Sequence, residues 1–407
     1  MKSRFFLISV AFTAILACAP KFRSTATITS ENLSASAVDE AGATPSPTAT
    51  ATPPLPQGFE SLVSFDRWTD NCANPLGKVI ESGGVLYGTT YSGGPSSMGS
   101  IFKVNLDGSG MDSIHEFTVI ANGRYPQGGL TMVSGVLYGV TQSGGTSNAG
   151  TIYKINTDGS GFAVLHNFDD TNGKFPTGDL IEIAGKLYGV TANGGSNGYG
   201  FVFRMDLDGN NYTNIFTFDM PILDGAVPIG GLIHDSGVLY GVTNGGGVNG
   251  WGTVYKMNLD GSGHTILKDF SNSAHGMNPG GGLLKIGSAV YGITIQGGSN
   301  SGGTIYKVST DATGFSVLYN INNSTEGMLS SSDLLNVSGT LYGTLRGGNG
   351  SVFEVNPDGT GFSIVHSFVD SDGKDPKAGL INVSGTLYGT TNTGGSNGYG
   401  TVFHYVP

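Results

Sequence analysis

Short apolar runs recur along residues 58–407 with a spacing that predicts a repeated four-stranded unit. The tripeptide Leu-Tyr-Gly, or Val-Tyr-Gly in one copy, begins at Leu86, Leu137, Leu187, Leu239, Val290, Leu341 and Leu387. The steps between copies are 51, 50, 52, 51, 51 and 46 residues. No long run has helical periodicity. A period of about 50 residues with four short strands per unit predicts an all-β fold, a seven-bladed β-propeller.

One unit illustrates the four strands. Strand A covers residues 129–133, strand B is "VLYGVT", strand C is "TIYKIN" and strand D is "FAVLHNF". Strands C and D are almost continuously apolar, as expected when neighbouring blades cover both faces of a sheet. Most C–D connections contain Asp-Gly, which suits a tight hairpin. The Gly that follows each Tyr of strand B predicts a close approach by another backbone.

The number of strand D copies predicts how the ring closes. Seven copies are present, and the first, residues 59–65, precedes every A, B and C strand. The last strand C, residues 401–406, ends the chain without a strand D behind it. We therefore expect 59–65 to pair with 401–406 and complete the seventh blade. This pairing would remove both open sheet edges, which otherwise promote aggregation.

The N-terminal region predicts export and anchoring. Residues 1–17 combine Lys2 and Arg4 with a short apolar run, which is typical of a signal peptide. The sequence "ILAC" resembles a bacterial lipoprotein signal with lipidation at Cys18; secretory cleavage after Ala19 is the alternative. Residues 18–57 are rich in Ser, Thr, Ala and Pro and predict a disordered tether before the domain at 58–407. An extracytoplasmic protein, lipid-anchored to a bacterial membrane or secreted, is expected.

Composition and charge narrow the range of partners. The chain contains 69 Gly among 407 residues, and its net charge is −11. An acidic chain without a basic face argues against nucleic acid as a partner. With Cys18 lipidated, Cys72 is the one remaining thiol, so no internal disulfide is expected. The sequence predicts a monomer without a cofactor, in contact with the membrane only through its lipid.

Several segments resemble a known family. "LYGTT", "GYGTVF", "DGTGF" and "GGLI" recur in most units. Together they resemble the GloVer-type bacterial β-propeller tandem repeat of the choice-of-anchor proteins, over about residues 58–407. The resemblance implies a secreted or surface-attached propeller. It implies no activity. The Trp of kelch repeats and the Trp-Asp signature of another propeller class are both absent.

One position after the D–A loop stands out when the seven units are compared. It lies three residues after a Pro that six units share, and it should line the mouth of the central channel. Its occupants are Lys78, Gly129, Asp179, Gly231, Gly282, Asp333 and Gly379. Asp179 and Asp333 lie three blades apart, so they should nearly face each other and could hold a cation or a polar ligand. Alternatively, each Asp accepts hydrogen bonds from its own loop amides.

Other candidate ligand-binding residues lie in the long B–C and D–A loops, which share one face of a propeller, here named the long-loop face. Cations occupy one equivalent loop position in three blades: Arg124, Lys174 and Lys374. They suit an anionic ligand or are solvated loop charges. Loop aromatics suit a sugar or a protein surface, or pack between loops: Trp68, Tyr199, Trp251 and Tyr399. A short B–C loop in blade 6 should open a gap near Arg346.

Motifs that suggest chemistry are weak. "GGSNG" matches G-x-S-x-G but lies in an all-β loop rather than at a strand–helix turn. His115, His166 and His366 share a strand D position in separate blades, which predicts a structural role. We predict no catalytic residue and no metal site. The leading hypothesis is a binding module for a protein or glycan through the long-loop face. The alternatives are a polysaccharide hydrolase or lyase that uses Asp179 and Asp333, and a structural envelope component.

Overall fold

Seven antiparallel sheets form the blades of a β-propeller in the computed structural model, which describes residues 58–195, 197–271, 273–329 and 331–407. The predicted all-β, seven-bladed fold is confirmed. The predicted signal peptide, Cys18 and tether lie outside the described residues. Among those residues, no helix is long and apolar enough to cross a membrane.

The chain enters the propeller through β1 (Gly58–Ser64), the outer strand of blade 7. Blade 1 contains β2 (Ala73–Pro75), β3 (Ile80–Ser82), β4 (Val85–Ser92), β5 (Ser100–Asn105) and β6 (Asp112–Glu116). Blade 2 contains β7 (Thr131–Val133), β8 (Val136–Thr141), β9 (Thr151–Asn156) and β10 (Ala163–Asn167). Blade 3 contains β11 (Lys174–Ile183), β12 (Lys186–Asn193), β13 (Phe201–Asp206) and β14 (Thr213–Thr217). In the loop before β7, a 3₁₀ turn covers Ile120–Asn122.

Blade 4 begins after the short helix α1 (Pro221–Asp224), and a 3₁₀ turn at Ser273–His275 precedes blade 5. Blade 4 contains β15 (Ala226–Asp235), β16 (Val238–Gly245), β17 (Thr253–Asn258) and β18 (Thr265–Asp269), and blade 5 contains β19 (Met277–Ile286), β20 (Ala289–Gln296), β21 (Ser301–Ser309) and β22 (Phe315–Asn322). Blade 6 contains β23 (Met328–Leu329), β24 (Leu335–Val337), β25 (Thr340–Arg346), β26 (Ser351–Val355) and β27 (Ser363–Ser367). Blade 7 contains β28 (Ile381–Val383), β29 (Thr386–Thr391) and β30 (Thr401–Val406) in addition to β1.

Blade 7 is built from both ends of the propeller, as predicted. Strand β1 pairs antiparallel with β30, from Gly58 opposite Val406 to Ser64 opposite Thr401. Phe59 stacks on His366 of the preceding blade with ring centroids 3.5 Å apart. Phe65, just after β1, is fully buried. The ring is therefore closed by strand pairing and by aromatic packing on both sides of β1.

The Gly of strand B faces an aromatic ring, which corrects the expectation that it faces another backbone. Gly88 lies opposite Phe102 on the next strand, and a Cβ atom at Gly88 would come within 2.5 Å of that ring. Gly241 lies opposite Tyr255 in the same way. All seven blades repeat this pair. The missing side chain thus makes room for a cross-strand aromatic that fills the blade core.

The shared Pro lies inside strand A in blades 3, 4 and 5, not before it as predicted. Pro176 belongs to β11, and the register of β11 shifts just after it. The residue before the Pro adopts positive φ, for example 52° at Phe175 and 58° at Val227. Proline disfavours the right-handed helical conformation for the residue before it. The positive φ seen here directs the N–H of that residue toward the preceding blade. The Phe175 N–H donates to the Ala149 carbonyl at 2.8 Å, which joins the two blades.

Aromatic stacks join neighbouring outer strands around the ring. The His115 ring stacks on Phe162 at 3.9 Å and the His166 ring stacks on Tyr212 at 3.8 Å. Burial lowers the pKa of His115 to about 4 and also lowers the pKa of His166. Each imidazole is therefore held neutral between apolar surfaces. The structural role predicted for these histidines is confirmed.

These histidines predict acid sensitivity. An unfolded His binds a proton below about pH 6.5, whereas folded His115 remains neutral until about pH 4. The stabilisation is complete above the unfolded pKa and is lost as the pH falls between these values. We expect the urea midpoint to fall from pH 7 to pH 5, and His115→Phe/His166→Phe to reduce that fall. An equal fall of the urea midpoint between pH 7 and pH 5 in the variant and in the wild type would contradict the prediction.

Candidate functional site

The two channel carboxylates are joined by a lysine. The Lys78 ammonium lies 3.1 Å from Asp333 Oδ2 and 3.6 Å from Asp179 Oδ2. Sequence comparison placed the three residues at one position of the repeat, but it did not pair them. Lys78 is two blades from each Asp, so its long side chain reaches both. We expected that the two carboxylates could hold a cation or a polar ligand, and the chain itself supplies a cation there through Lys78.

The second oxygen of each carboxylate caps a backbone amide. Asp179 Oδ1 accepts a hydrogen bond from the Gly129 N–H at 2.6 Å. Asp333 Oδ1 accepts one from the Gly282 N–H. Both donors belong to the preceding blade, not to the loop of the Asp itself as the alternative interpretation expected. Each Asp therefore connects two blades and the central lysine.

The surroundings shift the ionisation of this triad, which consists of Lys78, Asp179 and Asp333. Burial raises the pKa of Asp179, the positive charge of Lys78 opposes that rise, and the charge of Asp333 reinforces it. The negative charge of Asp333 raises the pKa of Lys78. The side chain of Asp179 is 24% exposed, but only toward a narrow channel whose walls surround the carboxyl. Protein atoms therefore replace most of its bulk water, which favours the neutral form.

The triad separates two cavities along the channel. The loop-side cavity, of about 340 Å³, is lined by Gln127, Thr177, Ile229 and Lys377 among others. The turn-side cavity, of about 510 Å³, is lined by aliphatic side chains that include Ile181, Ile233 and Leu284. All three triad residues border both cavities. The triad thus lies across the channel, between a loop-side cavity and an apolar turn-side cavity.

A ring of glycines narrows the channel beside the triad, and sequence comparison missed it. A Cβ atom at Gly128 would lie 2.2 Å from the Gly178 carbonyl oxygen of the next blade. A Cβ atom at Gly77 or at Gly230 would likewise lie 2.5 Å or 2.2 Å from a carbonyl oxygen of the next blade. Blades pack here backbone to backbone. The sequence does contain a signal for this close packing, because five of the seven units have a Gly one residue before the position that the triad residues occupy.

The three predicted loop cations contact residues of the loops in their own blade region. Arg124 donates to Asn148 Oδ1 at 3.2 Å and lies over the Tyr125 ring. Lys374 pairs with Asp370 at 2.9 Å, and Lys174 forms the equivalent pair with Asp170. Such exposed pairs contribute little stability. The structure therefore does not bring Arg124, Lys174 and Lys374 together at the channel mouth.

The predicted loop aromatics divide into two groups. Trp68 is 76% exposed, as expected. Tyr199, Trp251 and Tyr399 are half-buried and pack against clusters formed between blades, which agrees with the packing alternative. Arg346 is half-buried at the end of β25, opposite Met328, and its guanidinium makes no ion pair with a described residue.

Exposed apolar side chains concentrate on the long-loop face, and of these the sequence had indicated only Trp68. The described residues include nine exposed large apolar side chains: Trp68, Val119, Ile120, Met220, Ile222, Leu223, Val248, Ile364 and Val369. All except Ile364, which lies on β27, belong to D–A or B–C loops. The concentration therefore marks one face of the propeller.

Four of them form the blade 4 apolar patch, defined as Met220, Ile222, Leu223 and Val248. A hydrogen bond of 2.7 Å from the Gly247 N–H to the Pro221 carbonyl brings the two loops together. Each of the four side chains is more than half exposed, from 57% to 67%. Apolar surface gathered in this way is typical of a contact site.

The described residues include no group of three or more His, Cys, Asp or Glu placed to hold a metal ion. Fold and channel define the class of protein: a seven-bladed β-propeller with a partitioned channel. The chain belongs to the Gloeobacter/Verrucomicrobia repeat family, whose model matches residues 36–189 and 176–403. The resemblance to the GloVer-type repeat is thereby confirmed.

Solved structures show similar folds. An oligogalacturonate lyase in complex with manganese is 12% identical, with a TM-score of 0.58 over 86% of this chain and 95% of that chain. Oligogalacturonate lyase from Vibrio parahaemolyticus is 13% identical, with a TM-score of 0.55 over 86% of this chain and 93% of that chain. These identities show likeness of fold alone. No curated protein matches the sequence.

Proposed function

We propose that the protein is an envelope-anchored binding module that contacts a protein partner through the long-loop face. The supporting observation is that eight of the nine exposed large apolar side chains among the described residues lie in its loops. Burial of such side chains against a partner is the main source of binding free energy at most interfaces. The rigid ring beneath supports the loops.

The side-chain types favour a protein over a glycan. Ile222, Leu223 and Val248 are aliphatic, whereas sugar rings are usually held by flat aromatic side chains together with polar groups. Of the four predicted aromatics, Trp68 alone is exposed, and Tyr199, Trp251 and Tyr399 pack between blades. Glycan binding is therefore retained as an outcome of the test.

The alternative of a polysaccharide hydrolase or lyase depends on Asp179 and Asp333 as acid and base. Lys78 lies between them, and the second oxygen of each accepts an amide hydrogen bond. A general acid or base must reach its substrate proton directly. Both oxygens of Asp333 are engaged, by Gly282 and Lys78, so the two carboxylates do not offer an acid and a base side by side, and the likeness to lyases is one of fold.

The blade 4 apolar patch gives the test of this proposal. We expect Ile222→Asp/Leu223→Asp to weaken binding at least about tenfold, because two apolar contacts are replaced by charges. The melting temperature should stay unchanged because both side chains are exposed. A photo-crosslinking residue at Val248, in cells, should give a discrete protein adduct that the double variant loses. Ile364→Asp is the matched control away from this face.

A photo-crosslinking residue at Ile364 that gives as much of the adduct as one at Val248 would contradict the proposed face. Binding to a glycan panel that the double variant leaves intact would contradict a protein partner. No adduct from Val248, Trp68 or Ile120 would favour a structural envelope component instead.

We also propose that the chain is held at a bacterial membrane by a lipid on Cys18. The proposal rests on the "ILAC" sequence after the apolar run of the signal peptide. Radioactive palmitate should label the wild type and should not label Cys18→Ala, because the thiol carries the lipid. Labelling that persists in Cys18→Ala would contradict the anchor and leave secretion as the alternative.

A further inference from the structure

The turn-side cavity has an apolar wall and lies away from the long-loop face. Its lining includes the equivalent strand A residue of six blades: Ile80, Thr131, Ile181, Ile233, Leu284 and Leu335. Its volume of about 510 Å³ lies within the range of small-molecule sites. Apolar walls bind water weakly, so an apolar ligand gains by filling such a space.

The inner end of this cavity is charged. The triad supplies one ammonium and two carboxylates, so its formal charge is −1. Lys78 donates a hydrogen bond to Asp333 Oδ2 at 3.1 Å, whereas Asp179 Oδ2 lies 3.6 Å from the ammonium, outside hydrogen-bond distance. Asp179 Oδ2 therefore retains the capacity to accept a hydrogen bond from a ligand in the channel.

The outer end carries negative charge as well. Glu81 and Glu182 directly follow the lining residues Ile80 and Ile181, and each accepts a hydrogen bond from an amide of its own turn, at 2.7 Å and 2.6 Å. No described Lys or Arg pairs with either carboxylate. Lys285 is paired with Asp235 at 2.9 Å, so it does not offset them. The net negative charge of the triad, with these carboxylates next to the wall, therefore favours a cation over an anion in the cavity.

We infer that the turn-side cavity binds a small primary amine with an apolar body, an alkyl- or arylammonium ion. Its ammonium group donates a hydrogen bond to Asp179 Oδ2. Its apolar body lies against the ring of Ile and Leu side chains. Each added methylene that the wall covers increases affinity about fourfold. An anion of the same length is repelled by the triad, and an alcohol lacks the charge.

Calorimetric titration of the full chain with butyl-, hexyl- and octylammonium tests the inference. Affinity should rise with chain length, octanol should bind more weakly than octylammonium, and octanoate should not bind. Asp179→Asn should weaken octylammonium binding at least about tenfold, because a charge-assisted hydrogen bond is lost, and should leave octanol unaffected. Octanoate binding as tightly as octylammonium would overturn the inference.

Two substitutions on β15 locate the site. Ile233 lines the turn-side cavity, and Ile229, four residues earlier, lines the loop-side cavity. Ile233→Trp should abolish amine binding, and Ile229→Trp should preserve it. Should Ile233→Trp fail to fold, Leu284→Phe gives a smaller obstruction of the same wall. Equal losses from the two β15 variants, or none from either Ile233→Trp or Leu284→Phe, would overturn the assignment.

Discussion

Deletion of residues 58–65 should unfold the whole propeller rather than loosen one blade. The deletion removes Phe59, whose ring stacks on His366, and Phe65, which is fully buried. Loss of one large buried aromatic typically costs roughly 3–5 kcal/mol, and a domain is stable by only about 5–15 kcal/mol. The deletion also opens the ring, because β30 loses its partner strand. We expect no cooperative thermal transition, measured by circular dichroism.

The matched control returns the strand to its place at the other end of the chain. Gly58 lies opposite Val406, so a four-residue Asp-Gly-Ser-Gly turn can join the C-terminus to a copy of residues 58–65. This permuted chain has in blade 7 the C–D hairpin that other blades already have. We expect it to recover the transition of the wild type. A deletion variant that melts like the wild type would contradict closure by β1.

The fold was predictable because each unit repeats the same local solution. Leu-Tyr-Gly, the Asp-Gly turns and the surplus strand D determined blade number and closure without tertiary information. The partner of Gly241 was not predictable from the strand itself. A strand Gly indicates close contact, but only the register shows that the contact is the Tyr255 ring. Likewise, the positive φ of Val227 accompanies the hydrogen bond that its N–H donates to the Tyr199 carbonyl of the neighbouring blade at 3.0 Å, a contact that the strand sequence does not reveal.

The sequence predicted which position of the repeat the site residues occupy, but it did not predict which residues they contact. Comparison of the units placed Asp179 and Asp333 across the channel. Whether Lys78 can contact both carboxylates depends on how closely the blades pack at the glycine ring, which the comparison did not predict. For Tyr199 and Trp251 the sequence left open a contact surface or packing between loops, and only the structure shows that they pack against clusters between blades. The blade 4 apolar patch had a sequence signal: "MPILD" differs from every sister D–A loop.

Replacement of Lys78 by Met should be the most destabilising single change in the channel. It leaves two carboxylates facing each other without their shared ammonium. Breaking a fully buried ion pair costs about 3–5 kcal/mol, and we expect roughly 2 kcal/mol here because about a quarter of each side chain is exposed to the channel. The measurement is the free energy of unfolding in urea at pH 7.

The loss should shrink in acid. Burial already raises the folded-state pKa of Asp179 above its ordinary value of 3.8, and removal of the lysine raises it further. A carboxyl with a raised folded-state pKa holds its proton more tightly when folded. Its stabilisation is complete below the unfolded pKa and is lost as the pH rises through the folded one. The difference between Lys78→Met and the wild type should therefore be smaller at pH 5 than at pH 7.

A triple variant separates charge from packing. Lys78→Met/Asp179→Asn/Asp333→Asn removes all three charges, while each Asn keeps an oxygen that can accept the hydrogen bond from Gly129 or Gly282. Replacing a complete ion group by neutral side chains of similar size is often nearly neutral. We therefore expect the triple variant to recover most of the stability that Lys78→Met loses. A triple variant as unstable as Lys78→Met, with a loss independent of pH, would show that the lysine acts through its hydrocarbon chain instead of its charge.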